Sequence, residues 1–280
     1  MASVDIRGKA IAITGASSGI GAATAVECAR AGMDVALLAR RADRLDEVAQ
    51  RVRALGARAV CVPGSVEKAE DCERLIEACV QEFGSIHAVF ANAGIGYEGS
   101  FAEMSDADLR RVFEINFFGS MNAVRPAIER MKAQGSGHVL FCSSCLSKIT
   151  LPYYGAYCAT KTCQEVFART MRAELKGAGL RVSSVHPIGT KTELFDALEK
   201  GSPRGNRLSK GPDYFLQPAE RVGRAVVWCL RHPQREVWTG LAVRVAFAVM
   251  HATPGLTDRV IGALVTKRLR LGQGRSTPSE

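Results

Sequence analysis

Much is missing from this 280-residue chain. No apolar run approaches the ~20 residues that a membrane-spanning helix needs; the longest near the end, residues 241–250, is interrupted by Arg244. The opening stretch, residues 1–9, is short and polar and lacks the apolar core of a secretory signal. No internal repeat is visible, and the only low-complexity stretch is a polar tail over 272–280, which reads as disordered. The nine cysteines are odd in number and scattered from Cys28 to Cys229. That pattern excludes a fully paired disulfide framework and fits a reducing, cytoplasmic setting. Cys142 and Cys145 have redox-motif spacing, but no metal-ligand cluster accompanies them, so they read as structural and no metal is expected. The net charge is +9, yet no basic stripe interleaved with aromatics points to nucleic acid. The basic excess, part of it in Lys267, Arg268, Arg270 and Arg275, fits a solvated surface plus a site for an anionic cofactor.

What is present is a regular alternation. Short apolar runs over 10–14, 35–39, 59–62, 88–91, 139–142 and 182–186 read as buried strands. Between them, helical spacing predicts helices over 19–31, 42–55, 67–83, 106–133 and 153–178, with Gly32 stopping the first and Pro126 kinking the fourth. Repeated strand–helix alternation predicts an α/β fold: a single Rossmann-type, doubly wound parallel sheet flanked by helices, one domain over 1–271. Such sheets bind ligands beyond the carboxyl ends of their strands. A C-terminal helical extension is expected over 240–271, with apolar stretches at 238–250 and 256–271.

Chemistry-bearing residues fall where that fold needs them. Gly15, Ser17, Ser18, Gly19, Ile20 and Gly21 form a glycine-rich turn between the first strand and the first helix. Glycines allow a tight turn and close backbone approach, and a helix N-terminus offers free amides to a pyrophosphate. Further along, Tyr157 and Lys161 are four apart, one face of a helix, and Ser144 lies thirteen residues before the tyrosine. A tyrosine hydroxyl has an ordinary pKa of about 10. A neighbouring ammonium lowers it and would make the phenol a usable proton donor or acceptor.

The glycine turn, Asn92-Ala93-Gly94 after the fourth strand, Asn116, Ser144 and the Tyr157/Lys161 pair together resemble the short-chain dehydrogenase/reductase family, in its order and spacing, from about residue 9 to residue 192. The resemblance implies roles. Tyr157 would be the general acid or base, and Lys161 would tune it and hold the nicotinamide ribose. Ser144 would orient the substrate oxygen, and Asn116 would steady a water linking Lys161 to solvent. Ser65 and Val66 stand where relatives carry an Asp-Val pair against the adenine. Pro187, Thr190 and Thr192 follow the sixth strand, with isoleucine at 188 where the family usually has glycine. It also implies a homodimer or homotetramer formed through the two long helices.

Cofactor choice can be argued from charge. A carboxylate after the second strand would favour NAD. This chain has Arg40 and Arg41 there, which suit the planar, bidentate contacts of a 2′-phosphate, so NADP(H) is expected. Residues 193–217 fall where relatives carry a substrate lid, and Phe195, Leu198, Tyr214 and Phe215 could cover an apolar ligand. Tyr153, Tyr154 and the stretch from Gly96 to Glu98 are candidate pocket edges. The leading expectation is hydride transfer between NADP(H) and an apolar or lipid-like carbonyl or secondary alcohol. The alternative is a catalytically silent dinucleotide-binding regulatory protein. The cationic, apolar extension also suits a weak peripheral membrane contact, set against packing over the pocket or at a subunit interface.

Overall fold

The structure, a computed structural model, describes residues 3–193 and 216–273. In chain order the main elements are β1 (Ala10–Thr14), α1 (Gly19–Arg30), β2 (Asp34–Ala39), α2 (Ala42–Arg53), β3 (Ala59–Pro63), α3 (Ala69–Phe83) and β4 (Ala88–Ala91). Then come α4 (Asp106–Phe113), α5 (Gly119–Gln134), β5 (Gly137–Cys142), α6 (Gly155–Glu174) and β6 (Leu180–His186). The short pair β7 (Thr190–Lys191) and β8 (Gln217–Pro218), α7 (Ala219–Arg231), β9 (Glu236–Trp238), α8 (Leu241–Ala252) and α9 (Pro254–Gln273) complete it.

Seven strands form one sheet in the order β3-β2-β1-β4-β5-β6-β9. Every pairing is parallel, for example Ile11 with Val35 on one side and with Ala88 on the other. β1, β2, β4 and β5 are buried along their whole length. That is why they read as unbroken apolar runs: a parallel sheet is covered on both faces. One core lies between the sheet and α1, α2 and α7, around Ile13, Leu37 and Val226. The other lies against α3, α5 and α6, around Leu75, Val124 and Phe141. The winding direction reverses between β1 and β4, which opens a crevice at their carboxyl ends.

Four boundaries differ from the sequence expectation. The helix expected over 106–133 is interrupted by a π-turn at Glu114–Phe118, while Pro126 sits inside α5 without ending it. The extra residue of that turn accompanies Asn116, whose side chain leaves its own helix to hold the chain at Ile95. Helix α6 starts at Gly155 because Tyr153, at φ +71°, has a left-handed backbone that no helix accepts. Trp238 lies in β9, a seventh strand only three residues long, rather than in a helix. Its indole stacks on His186, 4.7 Å between centroids, which a periodicity pattern cannot signal. Finally, α9 runs to Gln273, so Gly272 and Gln273, expected in the polar tail, are helical.

The extension docks on α6 and the loop that precedes it. Thr257, Ile261 and Val265 recur every fourth residue of α9 and are buried, Ile261 and Val265 against Tyr154 and Cys158. His251 bonds the Lys148 carbonyl at 2.8 Å, and Thr150 donates to Asp258 at 3.2 Å. The opposite faces, with Leu241, Val245 and Val249 on α8 and Leu256, Val260 and Leu264 on α9, are exposed. No helix among the described residues is long and apolar enough to cross a membrane.

Candidate active site

The turn after β1 uses two left-handed glycines, Gly15 at φ +65° and Gly19 at φ +54°. A Cβ on Gly15 would lie 2.8 Å from the Ala93 Cα, so the turn rests directly on the loop after β4. Gly21 is not at the cleft as expected. It lies behind the turn, where a Cβ would strike the Gly15 carbonyl and approach Asn92 Nδ2 at 2.7 Å. Thr14 locks the two loops together: its hydroxyl accepts from the Asn92 and Ala93 amides at 3.0 Å each. Asn92 Nδ2 returns bonds to the Thr14 and Gly15 carbonyls at 3.0 and 3.3 Å. Thr14 was not singled out from the sequence; a polar residue closing an apolar strand was its only signal.

A cleft of about 490 Å³ runs from this turn to the end of β6. Of the residues expected to serve catalysis or cofactor binding, all but Gly21 and Asn116 line it. At its outer end stand Arg40 and Arg41. Arg41 reaches across to Ser17 and Ser18 at 3.3 and 3.2 Å and pairs with Glu193 at 2.7 Å. Arg40 makes no hydrogen bond or ion pair among the described residues. Hydrogen bonding from Arg41 lowers the Glu193 carboxyl. The Ser65 hydroxyl donates to Glu67 at 2.9 Å, placing a carboxylate on the cleft wall that the sequence reading overlooked. Val66 is buried and its carbonyl is held by Asn122 at 2.9 Å.

The inner end gathers the reactive groups. Ser144 caps the short turn Cys145–Ser147, its hydroxyl accepting from the Leu146 amide at 3.1 Å. Tyr157 and Lys161 lie one turn apart on α6 and both line the cleft. Lys161 Nζ stands 5.6 Å from the centre of the Tyr157 ring and donates to the Cys142 carbonyl at 2.7 Å and to Gln164 at 3.3 Å. The expected lowering of the phenol pKa is reversed. Burial pushes Tyr157 up and outweighs the downward pull of its hydrogen bond with Ser144, while burial lowers the Lys161 ammonium. The physical reason is that desolvation penalises both charged forms and the ammonium already faces two acceptors.

Asn116 is fully buried behind the cleft. Its side chain clamps Ile95 by 2.7 and 2.9 Å bonds and reaches Thr160 at 3.2 Å. Its carbonyl accepts from Gln164 at 2.6 Å and Ser120 at 2.7 Å. The Gln164 side chain thus bridges Lys161 and the Asn116 carbonyl. Gln164 was missed because a glutamine on a helix carries no pattern of its own.

The loop after β6 is tied to the serine turn by the Cys145 amide, which donates to the Pro187 carbonyl at 3.0 Å. The Thr190 hydroxyl donates to Ile188 and accepts from Gln217. Thr192 packs on Gly19 across the cleft, 3.0 Å from where a Cβ would be. Tyr154 lines the cleft and donates to the buried Glu98 at 2.7 Å, whereas Tyr153 and Tyr97 line a separate cavity of about 280 Å³. The expected lid residues Phe195, Leu198, Tyr214 and Phe215 lie outside the described residues. All nine cysteines are free; burial pushes Cys145 up to about 12 and also raises Cys142, which suits inert thiols.

A doubly wound parallel sheet with a glycine turn at its switch point and free amides at the start of α1 defines a Rossmann-type fold. Residues 9–202 match the short chain dehydrogenase family, and the chain belongs to it. It is similar to 11-beta-hydroxysteroid dehydrogenase-like 2 of Arabidopsis thaliana, 35% identical over 269 residues, covering 95% of this chain and 84% of that protein. Glycine betaine reductase ATRR of Emericella nidulans is 34% identical over 236 residues, 82% of this chain; the match spans 18% of that protein's length. A solved short-chain dehydrogenase/reductase from Burkholderia phymatum, in complex with NAD, superposes with a TM-score of 0.80 at 26% identity, covering 90% of this chain and 96% of its own. The cleft fits a nicotinamide dinucleotide on its own terms. Its turn admits no Cβ at Gly15, and two arginines stand at its far end.

Proposed function

We propose that this protein is an NADP(H)-dependent oxidoreductase that interconverts an apolar carbonyl compound and its secondary alcohol. The observation carrying the proposal is the convergence of Ser144, Tyr157 and Lys161 on the inner end of one cleft whose outer end is glycine-rich and cationic. The nicotinamide supplies or accepts the hydride. This chain's residues do the rest. The Ser144 hydroxyl accepts from Leu146 and bonds Tyr157, so its hydrogen would turn from the phenol to the substrate oxygen. Tyr157 hands its phenolic proton to that oxygen during reduction and takes it back during oxidation. A neutral phenol, favoured by burial, is the form that donates. Lys161, held by Cys142 and Gln164, supplies the positive charge that offsets the phenolate once the proton has gone.

The NADP(H) reading rests on Arg40 and Arg41 and on the lack of a carboxylate at the end of β2. A 2′-phosphate would compete with Glu193 for Arg41 and meet Arg40 directly. Apolar substrate character is supported by Ile95, Leu146 and Ile188 on the cleft wall, and by the hydroxysteroid dehydrogenase name of one relative. Exposed Phe118, Val166 and Phe167, beside α5 and on α6, support a homo-oligomer through those helices. The apolar outer faces of α8 and α9, with Arg244, Arg259 and Lys267, support a weak contact with an anionic membrane surface. The deciding experiment is a panel of ketones, aldehydes and secondary alcohols followed by NADPH absorbance, with Tyr157→Phe as control. Turnover that survives in the control refutes the assignment. Tight NADPH binding with no turnover across the panel would favour a silent dinucleotide-binding protein.

A further inference from the structure

Behind the Ser144 turn, outside the cleft, four ionisable side chains meet: Lys148, Glu165, His186 and Glu236. Lys148 Nζ lies 3.3 Å from Glu165 and 2.7 Å from Glu236, and His186 Nε2 lies 3.3 Å from the second oxygen of Glu165 and 3.0 Å from the Ser184 hydroxyl. The side chains of His186 and Glu165 are 0% and 6% exposed. Trp238 stacks on the imidazole and donates to Glu236 at 3.0 Å. Arg172, from the same helix as Glu165, donates to the Val182 and Arg235 carbonyls beside the group. Ion pairs this deep are a weak source of stability, because desolvation offsets their attraction. Their value here lies in geometry.

That geometry ends on the catalytic serine. His186 Nδ1 lies 3.1 Å from the Ser144 carbonyl and 3.2 Å from the Ser147 hydroxyl. The carbonyl can only accept, so Nδ1 donates to it; Nε2 accepts from the Ser184 hydroxyl when the ring is neutral and donates to Glu165 when it is protonated. The same carbonyl accepts from the Ser147 hydroxyl at 2.7 Å and the Ser147 amide at 3.0 Å. Glu165 follows Tyr157 and Lys161 at four-residue intervals, on their face of α6. The helix carrying the proton donor thus also carries the seat of the imidazole that holds the serine. Burial works against the Glu165 carboxylate, but bonds from His186 and Ser184 and the charges of His186 and Lys148 hold it down to about 2.

We propose that His186 is a positioning residue for Ser144: seated on Glu165 and stacked on Trp238, its Nδ1–H grips the Ser144 carbonyl and sets the serine hydroxyl in register with Tyr157. The catalytic part of this inference rests on the function proposed above; the structural part does not. The test compares full-length His186→Gln, which withdraws the donor from Ser144, with His186→Asn, whose amide nitrogen takes the place of Nδ1. In the glutamine variant the Leu146 and Ser147 amides should exchange with deuterium about tenfold faster. Its kcat should fall by about 10- to 100-fold with the KM for NADPH unchanged, as for a misplaced catalytic group. The asparagine variant, which keeps the donor but loses the Glu165 and Trp238 contacts, should lie nearer the wild type than the glutamine variant in both. Wild-type exchange at Leu146 and Ser147 in the glutamine variant overturns the proposal, as does an asparagine variant equally damaged. If the wild type turns over no carbonyl, the assigned function fails while the exchange rates still decide this one. Should His186→Gln not fold, Glu165→Ala, which removes the seat of the imidazole, carries the same measurement, and unchanged exchange there overturns it.

Discussion

The two ends of the cleft are built on different principles. The outer end is made of backbone. Gly15 and Gly19 supply left-handed conformations, Gly21 and Ala93 supply close approach, and Thr14 and Asn92 hold the loops together. The inner end depends on side chains and what each one holds: His186 meets the Ser144 carbonyl and Glu165, Lys161 meets the Cys142 carbonyl and Gln164, and Asn116 holds the Ile95 backbone. A backbone site depends on what residues lack, so a single added methyl damages it. A side-chain site depends on partners brought from α6, β6, β9 and the π-turn, so it degrades by misplacement.

The sharpest way to separate the ends is Tyr157→Phe. It should lower turnover by about 10²- to 10⁴-fold, the usual worth of a general acid. NADPH affinity, read by protein fluorescence, should be nearly unchanged because the outer end is untouched. The converse is Arg40→Ala with Arg41→Ala. Losing charge-assisted bonds worth about 1.5–3 kcal/mol each should raise the Kd for NADPH by about 10²- to 10⁴-fold. NADH binding should stay level; equal loss of both cofactors would remove the argument for a 2′-phosphate site. Gly21→Ala tests the backbone character directly. The added Cβ meets the Gly15 carbonyl and Asn92 Nδ2, and overpacking of this kind costs about 1–3 kcal/mol. It should lower the unfolding midpoint and weaken NADPH and NADH alike.

A smaller effect concerns acid. Burial, with help from neighbouring positive charges, holds His138 down to about 3 and His87 down to about 4, against about 6.5 in an unfolded chain. Below pH 6.5 the unfolded chain takes up protons that the folded one refuses. Stability therefore falls as pH drops from about 6.5 toward 4, by about 1.4 kcal/mol per pH unit for each group. Glu165, at about 2 when folded and about 4.3 when unfolded, adds a second loss as pH falls from about 4.3 to 2. Urea melts at pH 7, 6 and 5 should show the first slope, and His87→Leu should reduce it.

The outer end was legible in the sequence because its requirements are local. Gly15, Gly19 and the strand–turn–helix around them are contiguous, and β1, α1 and β4 start or finish within a residue or two of their apolar patterns. The inner end was legible only as residue types at the right spacing: Ser144, Tyr157 and Lys161 were found, but not Gln164, Thr14 or the group behind His186. Those residues are ordinary in their own segments and gain a role only when β6, β9 and α6 are brought together. The C-terminal helices make the same point. α8 is among the most apolar segments of the chain, yet none of its residues is buried, because burial depends on what packs against a helix.

By itself, then, the chain determined its alternating strands and helices, the glycine turn and the identities of the serine, tyrosine and lysine. These follow from local backbone preference and the periodicity of burial, which act over a few residues. Only the tertiary structure decided that Gly21 packs behind the turn, that burial raises the Tyr157 phenol, that Gln164 bridges Lys161 and Asn116, and that His186 meets the Ser144 carbonyl. Each of these depends on distances and desolvation between segments far apart in sequence, and no local pattern records them.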